Sequence, residues 1–133
     1  MVSGISMVKK TVLIAEDNEL NMKLFKDLLE MKNFNTICIE DGHQVFEQVE
    51  QKKPDLILMD IRLNDISGLD IIKRIKSVDA LRHIPIIALT AYAMKSDKEK
   101  ILDSGCESYM AKPIFIDTFF KEIEKFVSSS VSS

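Results

Sequence analysis

Glu16, Asp17, Asp60, Thr90 and Lys112 each follow a short apolar run, and together they offer three carboxylates, a hydroxyl and an ammonium. In an open parallel sheet the carboxyl ends of the strands converge on one edge, so groups far apart in sequence meet there. Unit charges about 5 Å apart repel by roughly 3 kcal/mol at an effective dielectric near 20, so three acids gathered on that edge need a cation. Hard oxygen ligands with room for water suit Mg²⁺. A calcium hand is disfavoured, because neither glycine-rich ligand loops nor twelve-residue spacing accompany the acids. A phosphoryl group on Asp60 would use the Thr90 hydroxyl and the Lys112 ammonium for its oxygens. Taken singly, each residue has a plainer explanation: Asp17 or Asn18 as a helix N-cap, Thr90 as another, and Lys112 as a solvated lysine. The joint pattern favours a phosphate and Mg²⁺ site.

Five strands are needed to bring these residues together. Residues 11–15, 35–39, 56–59 and 84–89 are short and rich in Val, Ile and Leu, as strands covered on both faces are, and 108–111 is a weaker fifth. Between the first two, Leu20, Leu24, Leu28 and Met31 recur at helical spacing, with Asn21, Phe25 and Leu29 alongside, and this stripe is expected to face the core. Ile116, Phe119, Phe120, Ile123, Phe126 and Val127 fall within about one third of a helical wheel. The remaining helices are expected at 42–51, 69–78 and 95–104, the last closed by Gly105. The order βαβαβαβαβα predicts a doubly wound α/β domain, and a flavodoxin-like (βα)5 architecture is the form expected of it. Its doubly wound five-stranded parallel sheet would run 2-1-3-4-5, which sets the Asp60 strand beside the Glu16-Asp17 strand.

The chain has 133 residues, 46% of them hydrophobic and 29% charged, the size of one ordinary domain with no room for a second. A net charge of -3 gives no basic surface excess, so direct nucleic-acid binding is not expected. No apolar stretch approaches the roughly 20 residues that span a bilayer, and the first residues lack a secretory pattern. A cytoplasmic protein without membrane insertion is expected. Cys38 and Cys106 lack metal-like spacing and are read as buried or reduced thiols. Residues 1–7 read as a flexible extension and 128–133 as a flexible serine-rich tail. Neither carries the apolar surface to offset an ordering entropy of roughly 1 to 2 kcal/mol per residue, so the folded domain is 8–127.

The set Glu16-Asp17, Asp60, Thr90 and Lys112-Pro113 resembles the receiver (response regulatory) domain of bacterial two-component response regulators, over residues 9–127. The stretches at 15–25, 54–60 and 91–95 are similar in particular to single-domain cell-cycle regulators of the DivK type. The resemblance implies a stand-alone phosphorelay switch. In it Asp60 is the phosphoacceptor, supplied by a sensor histidine kinase or a histidine phosphotransfer protein, and the output runs through protein contacts in cell-cycle or cell-polarity control. The protein would assist its own aspartyl phosphorylation and dephosphorylation without being an enzyme on an external substrate.

The same resemblance implies roles for individual residues. Asp17, Asp60 and the backbone carbonyl of Arg62 would ligate Mg²⁺, with Glu16 acting largely through water. Lys112, aimed by a cis Lys112-Pro113 peptide, would pair with phosphoryl oxygens, and Thr90 would swing to bond one of them. Tyr109, otherwise an ordinary half-buried strand tyrosine, would rotate inward and reshape the face formed by the fourth helix, fifth strand and fifth helix, where downstream targets bind. Asn18, Glu19 and Met22 lie near the site on the first helix, and Met22 is expected at the edge of the core stripe, available to a docking kinase.

Two features depart from the family pattern. Proline is frequent in the loop after the phosphoacceptor, where this chain reads Leu63-Asn64-Asp65, so a looser loop is expected, with Gly68 permitting its turn. Arg62 and Tyr92 occupy positions that vary in the family and influence water access. Among rival functions, a flavin carrier would suffer repulsion of its phosphate by Glu16-Asp17, and an aspartate-nucleophile phosphatase would want an acid where Arg62 stands. An unphosphorylated receiver-like scaffold is the remaining alternative, and the intact acidic set argues against it.

Overall fold

The structure, a computed structural model, describes residues 9–91 and 95–127. The segments 1–8 and 128–133, and residues 92–94 with Tyr92 among them, lie outside the described residues. In chain order the elements are β1 (Thr11–Ala15), α1 (Glu19–Met31), β2 (Asn35–Ile39), α2 (Gly42–Lys52), β3 (Leu56–Asp60), β4 (Arg62–Leu63), β5 (Ile66–Ser67) and α3 (Gly68–Ser77). They continue with β6 (Ile86–Thr90), α4 (Lys95–Asp103), β7 (Ser108–Ala111) and α5 (Ile116–Glu124). The main sheet has five strands in the order β2-β1-β3-β6-β7. All its pairings are parallel. With the short β4-β5 hairpin set aside, this is the expected 2-1-3-4-5 order of a flavodoxin-like fold.

Successive strand residues point to opposite faces, so each buried strand feeds two cores. Leu13, Ile57, Met59 and Ile86 pack with Val45 and Val49 of α2, Ile72 and Ile75 of α3, and Ile101 of α4. Val12, Ile14, Leu58 and Ile87 pack with Phe25 and Leu29 of α1 and Phe119 and Ile123 of α5. Burying each such side chain contributes about 1.5–3 kcal/mol.

The inward face of α1 differs from the expected leucine stripe. Met22, Phe25, Leu28 and Leu29 are buried, whereas Leu20 is 80% exposed, Met31 76% and Leu24 40%. Phe25 stacks on Phe119 with ring centroids 5.5 Å apart and 9° between planes, and this contact sets the rotation of the helix. At roughly 100° per residue, Leu20, Leu24 and Met31 lie about 100–140° around the helix from Phe25, and Met22, Leu28 and Leu29 within about 60°. Two rows of apolar residues overlap in this sequence, and periodicity alone does not say which meets the sheet.

Smaller corrections have local causes. β6 starts at Ile86, not 84, because Pro85 has no N–H for a ladder; its carbonyl instead accepts from Ile57 N at 3.0 Å. In α5, Phe119 and Ile123 are buried but Ile116 is half-exposed, and Phe126 and Val127 lie in the turn beyond the helix. Cys106 is buried, while Cys38 is exposed on the edge strand β2. Gly105 follows α4 at φ +98°, a backbone that favours glycine there. Among the described residues, no helix is long and apolar enough to cross a membrane.

Candidate functional site

β1, β3, β6 and β7 lie side by side, so their carboxyl ends carry Glu16 and Asp17, Asp60, Thr90 and Lys112 to one edge of the sheet. Glu16 and Thr90 are fully buried and Asp60 is 6% exposed. One oxygen each from Glu16, Asp17 and Asp60 lies within 4.8 Å of the others. Lys112 Nζ donates to Asp60 Oδ2 at 2.7 Å and to Glu16 Oε1 at 2.8 Å. Its peptide to Pro113 is cis, and its N–H donates to the Thr90 carbonyl at 2.7 Å, which fixes the lysine beside β6.

Each carboxylate also accepts a main-chain N–H. Asn18 N donates to Glu16 at 3.1 Å, Arg62 N to Asp60 at 3.0 Å and Asn64 N to Asp17 at 2.9 Å. The N-cap of α1 is Asn18, whose side chain accepts from Asn21 N at 3.0 Å, so Asp17 is left for the site. Thr90 is the last residue of β6 and is fully buried there. Burial pushes the Glu16 carboxyl above its ordinary pKa, against the opposing pull of Lys112 and the Asn18 N–H. Burial also works against the Lys112 ammonium, but its hydrogen bonds to Asp60 and Glu16 hold it above its ordinary value of 10.5. Three converging hard oxygen donors fit one small divalent cation that keeps part of its water shell.

The loop after Asp60 is not looser for lacking proline. It forms the β4-β5 hairpin, in which Arg62 pairs with Ser67 and Leu63 with Ile66, and Leu63 is 1% exposed. Gly68 serves a close approach more than a turn: a Cβ there would stand 2.1 Å from the Asp60 carbonyl oxygen and 2.7 Å from Ile61 Cα. Tyr109 is half-buried on β7 opposite Ala88 and packs against the core beneath α2, α3 and α4. Arg62 is exposed.

Near the site on α1, Asn18 and Glu19 are exposed as expected, but Met22 is only 7% exposed and belongs to the core. Leu20 and Leu24 take the outward positions instead. Leu24 lines a groove of about 400 Å³ with Asn21, Phe25, Pro113, Ile114 and Lys112, and the groove therefore reaches the site. Just beyond it, Phe115 is 71% and Ile116 52% exposed. Sequence reasoning missed both this apolar surface and the Asn64 N–H. The unused half of the α1 apolar pattern signalled the first; a main-chain donor leaves no side-chain signal for the second.

Comparison with known proteins agrees with this geometry. The response regulator receiver domain family matches residues 12–124. The polar-differentiation response regulator DivK of Brucella anthropi is 48% identical over 121 residues, covering 91% of this chain and 98% of the relative. DivK of Brucella ovis is 47% identical over the same share of each chain. The receiver domain of sensor histidine kinase PA1611 from Pseudomonas aeruginosa PAO1 superposes with a TM-score of 0.82 at 30% identity, covering 90% of this chain and 98% of that one. Its crystal structure has a magnesium ion coordinated in the active site cleft. Chemotaxis protein CheY4 of Vibrio cholerae shares the fold with a TM-score of 0.84 at 18% identity, over 90% of this chain and 100% of that one. With the family matched across most of the chain, and close relatives along nearly their whole length, the protein belongs to the response regulator receiver domain family.

Proposed function

We propose that Asp60 accepts a phosphoryl group from a phosphohistidine of a sensor histidine kinase or histidine phosphotransfer protein, and that the phosphorylated protein signals in the cytoplasm through protein contacts. The observation that carries this is the Lys112 ammonium held between Asp60 and Glu16 in a cluster of three carboxylates. An Asp60 oxygen attacks phosphorus, the P–N bond breaks, and the imidazole leaves with the electron pair and takes up a proton. Lys112 is already within 2.7 Å of Asp60 and needs only a small shift to meet a phosphoryl oxygen.

A Mg²⁺ ion would be held by Asp17, Asp60 and the Arg62 carbonyl, with Glu16 through water; when bound it neutralises phosphoryl charge. Thr90 then moves to donate its hydroxyl to a phosphoryl oxygen, and Tyr109 follows inward, altering the face of α4, β7 and α5 that targets would read. The same groups assist hydrolysis by water, so the protein promotes both its phosphorylation and its dephosphorylation. Likeness to DivK supports a role in cell-cycle or polarity control. Asn18 and Glu19, with the outward Leu20 and Leu24, form the docking face for the donor, and the net charge of -3 supports no direct nucleic-acid contact.

The test is intact mass after incubation with acetyl phosphate and with a phosphohistidine donor, with and without Mg²⁺. A hydroxylamine-labile adduct on the wild type that needs Mg²⁺ and is absent from Asp60→Asn is expected. An equal yield in Asp60→Asn would put the acceptor elsewhere. No adduct from either donor would favour an unphosphorylated scaffold.

A further inference from the structure

The β4-β5 hairpin grips two of the three site carboxylates from positions two residues apart, through Arg62 N to Asp60 and Asn64 N to Asp17. Of the three acids, Asp17 is the most in need of an anchor. Lys112 bonds Glu16 and Asp60 but not Asp17 among the described residues, and Asp17 is only half-buried. Repulsion from two carboxylates within 4.8 Å drives it toward solvent, and the Asn64 N–H opposes that rotation.

The hairpin itself is seated firmly. Leu63 is buried, and the absent side chain of Gly42 leaves the space that Ile66 fills: a Cβ on Gly42 would meet Ile66 Cγ2 at 2.1 Å and Leu63 Cβ at 3.2 Å. At the tip Asn64 holds φ +56°, a left-handed backbone that asparagine tolerates better than most residues. An L-proline there would have φ near -65° and no N–H. The left-handed turn and the donor thus occur together at a single residue.

We infer that Asn64 is a positioning residue: its main-chain N–H holds Asp17 inside the cation-binding cluster, so the hairpin sets the affinity for a divalent cation before any phosphoryl group arrives. This rests on the cation site proposed above. Ordering one ligand through a charge-assisted hydrogen bond is worth about tenfold in affinity.

The test measures Mg²⁺ binding by calorimetry on the full chain without any phosphodonor. Two variants separate the N–H from the backbone shape. Asn64→Gly keeps both the N–H and access to positive φ. D-Proline at position 64, introduced by chemical ligation, keeps φ near +65° and deletes the N–H. Binding about tenfold weaker with D-proline, and within about twofold of wild type for Asn64→Gly, is expected.

Equal affinity with D-proline, or an equal loss in Asn64→Gly, would overturn the inference. Should the D-proline chain fail to fold, amide NMR decides: the residue 64 amide proton should sit downfield in wild type and move upfield in Asp17→Ala, and an unmoved resonance counts against the hydrogen bond. Absence of Mg²⁺ binding by the wild type would instead refute the cation site itself, a distinguishable failure.

Discussion

Replacing Lys112 with methionine keeps the apolar stem and removes the charge that two buried carboxylates share. At an effective dielectric near 20, each contact, at 2.7 and 2.8 Å, represents an attraction of about 6 kcal/mol before desolvation is charged against it. Removing one member of a buried ion pair typically costs about 3–5 kcal/mol, because the partner stays buried and uncompensated. Here Glu16 is wholly buried and Asp60 nearly so. For Glu16, protonation offers relief. The Glu16 carboxyl is already raised above 4.5 by burial, and loss of the ammonium removes the largest influence that lowers it.

An acid whose folded pKa exceeds its unfolded value binds more protons when folded, so its contribution to stability is lost as pH rises through that window. Lys112→Met should therefore be destabilised by about 3–5 kcal/mol at pH 8 and by much less near pH 5. In the wild type the raised Lys112 pKa works in the other range. Its contribution is full below pH 10.5 and is lost as pH rises through the folded value, a limb the variant should lack. Urea unfolding in EDTA at pH 5, 8 and 11, followed by circular dichroism, measures both effects. Added Mg²⁺ should restore the variant more than it stabilises the wild type, since no ammonium competes for the carboxylates. A deficit that is constant from pH 5 to pH 8, or under about 1 kcal/mol at pH 8, would refute the counter-ion argument.

Asp60→Asn forfeits an attraction of about 6 kcal/mol but relieves two repulsions of at least about 3.5 kcal/mol each between oxygens within 4.8 Å, so its Mg²⁺-free unfolding free energy in urea should fall no more than about 1 kcal/mol below wild type, and a larger loss would refute the balance. Gly68→Ala drives a Cβ into the Asp60 carbonyl, and a loss above about 3 kcal/mol with slower acetyl-phosphate labelling is expected; unchanged labelling would mean the backbone yields without moving Asp60. Lys76 Nζ donates to the carbonyls of Arg82 and Ile84 and to Glu107, whose other oxygen accepts from Ile86 N. Lys76→Met should cost about 2–4 kcal/mol in urea unfolding yet leave acetyl-phosphate labelling intact, because this network sits at the opposite end of β6 from Thr90. Leu24→Glu should slow transfer from a phosphohistidine protein at least several-fold with acetyl-phosphate labelling unchanged, and equal slowing of both would place Leu24 in the chemistry, not in docking.

The sheet was legible because burial on both faces leaves a short aliphatic run as its trace: β1 begins and ends where its run does, and β3 begins with its own and extends one residue further, to Asp60. The acids and the lysine were legible because a charged residue directly after such a run can only sit at the sheet edge. The rotation of α1 was not, since Leu20-Leu24-Leu28 and Met22-Phe25-Leu29 are both good helical rows, and the choice was made by a ring on α5 nearly a hundred residues away. The hairpin was missed for a related reason: Arg62-Leu63 and Ile66-Ser67 are too short for a period to show, and their order comes from a seat that Gly42 provides. Gly68 was assigned to a turn because glycine is most often read by its φ, whereas here the reason is the space beside the Asp60 carbonyl.

The charges explain why such a site would act as a switch and not as a static pocket. Three carboxylates and one ammonium leave two negative charges, the amount a single divalent cation neutralises. Converting Asp60 to an aspartyl phosphate exchanges one negative charge for roughly 1.5 to 2, spread over three oxygens. The site then carries an excess that Lys112 alone does not meet, since its ammonium must also serve Glu16 in a fully buried position. The nearest strand end with a hydroxyl to offer is that of β6, where Thr90 is buried beside the Lys112 backbone. Drawing that hydroxyl toward the phosphoryl group would vacate volume in a close-packed region, and Tyr109 on the adjacent strand already packs against the same core. A fraction of a charge at Asp60 would thereby be converted into a change of packing at the far edge of the sheet.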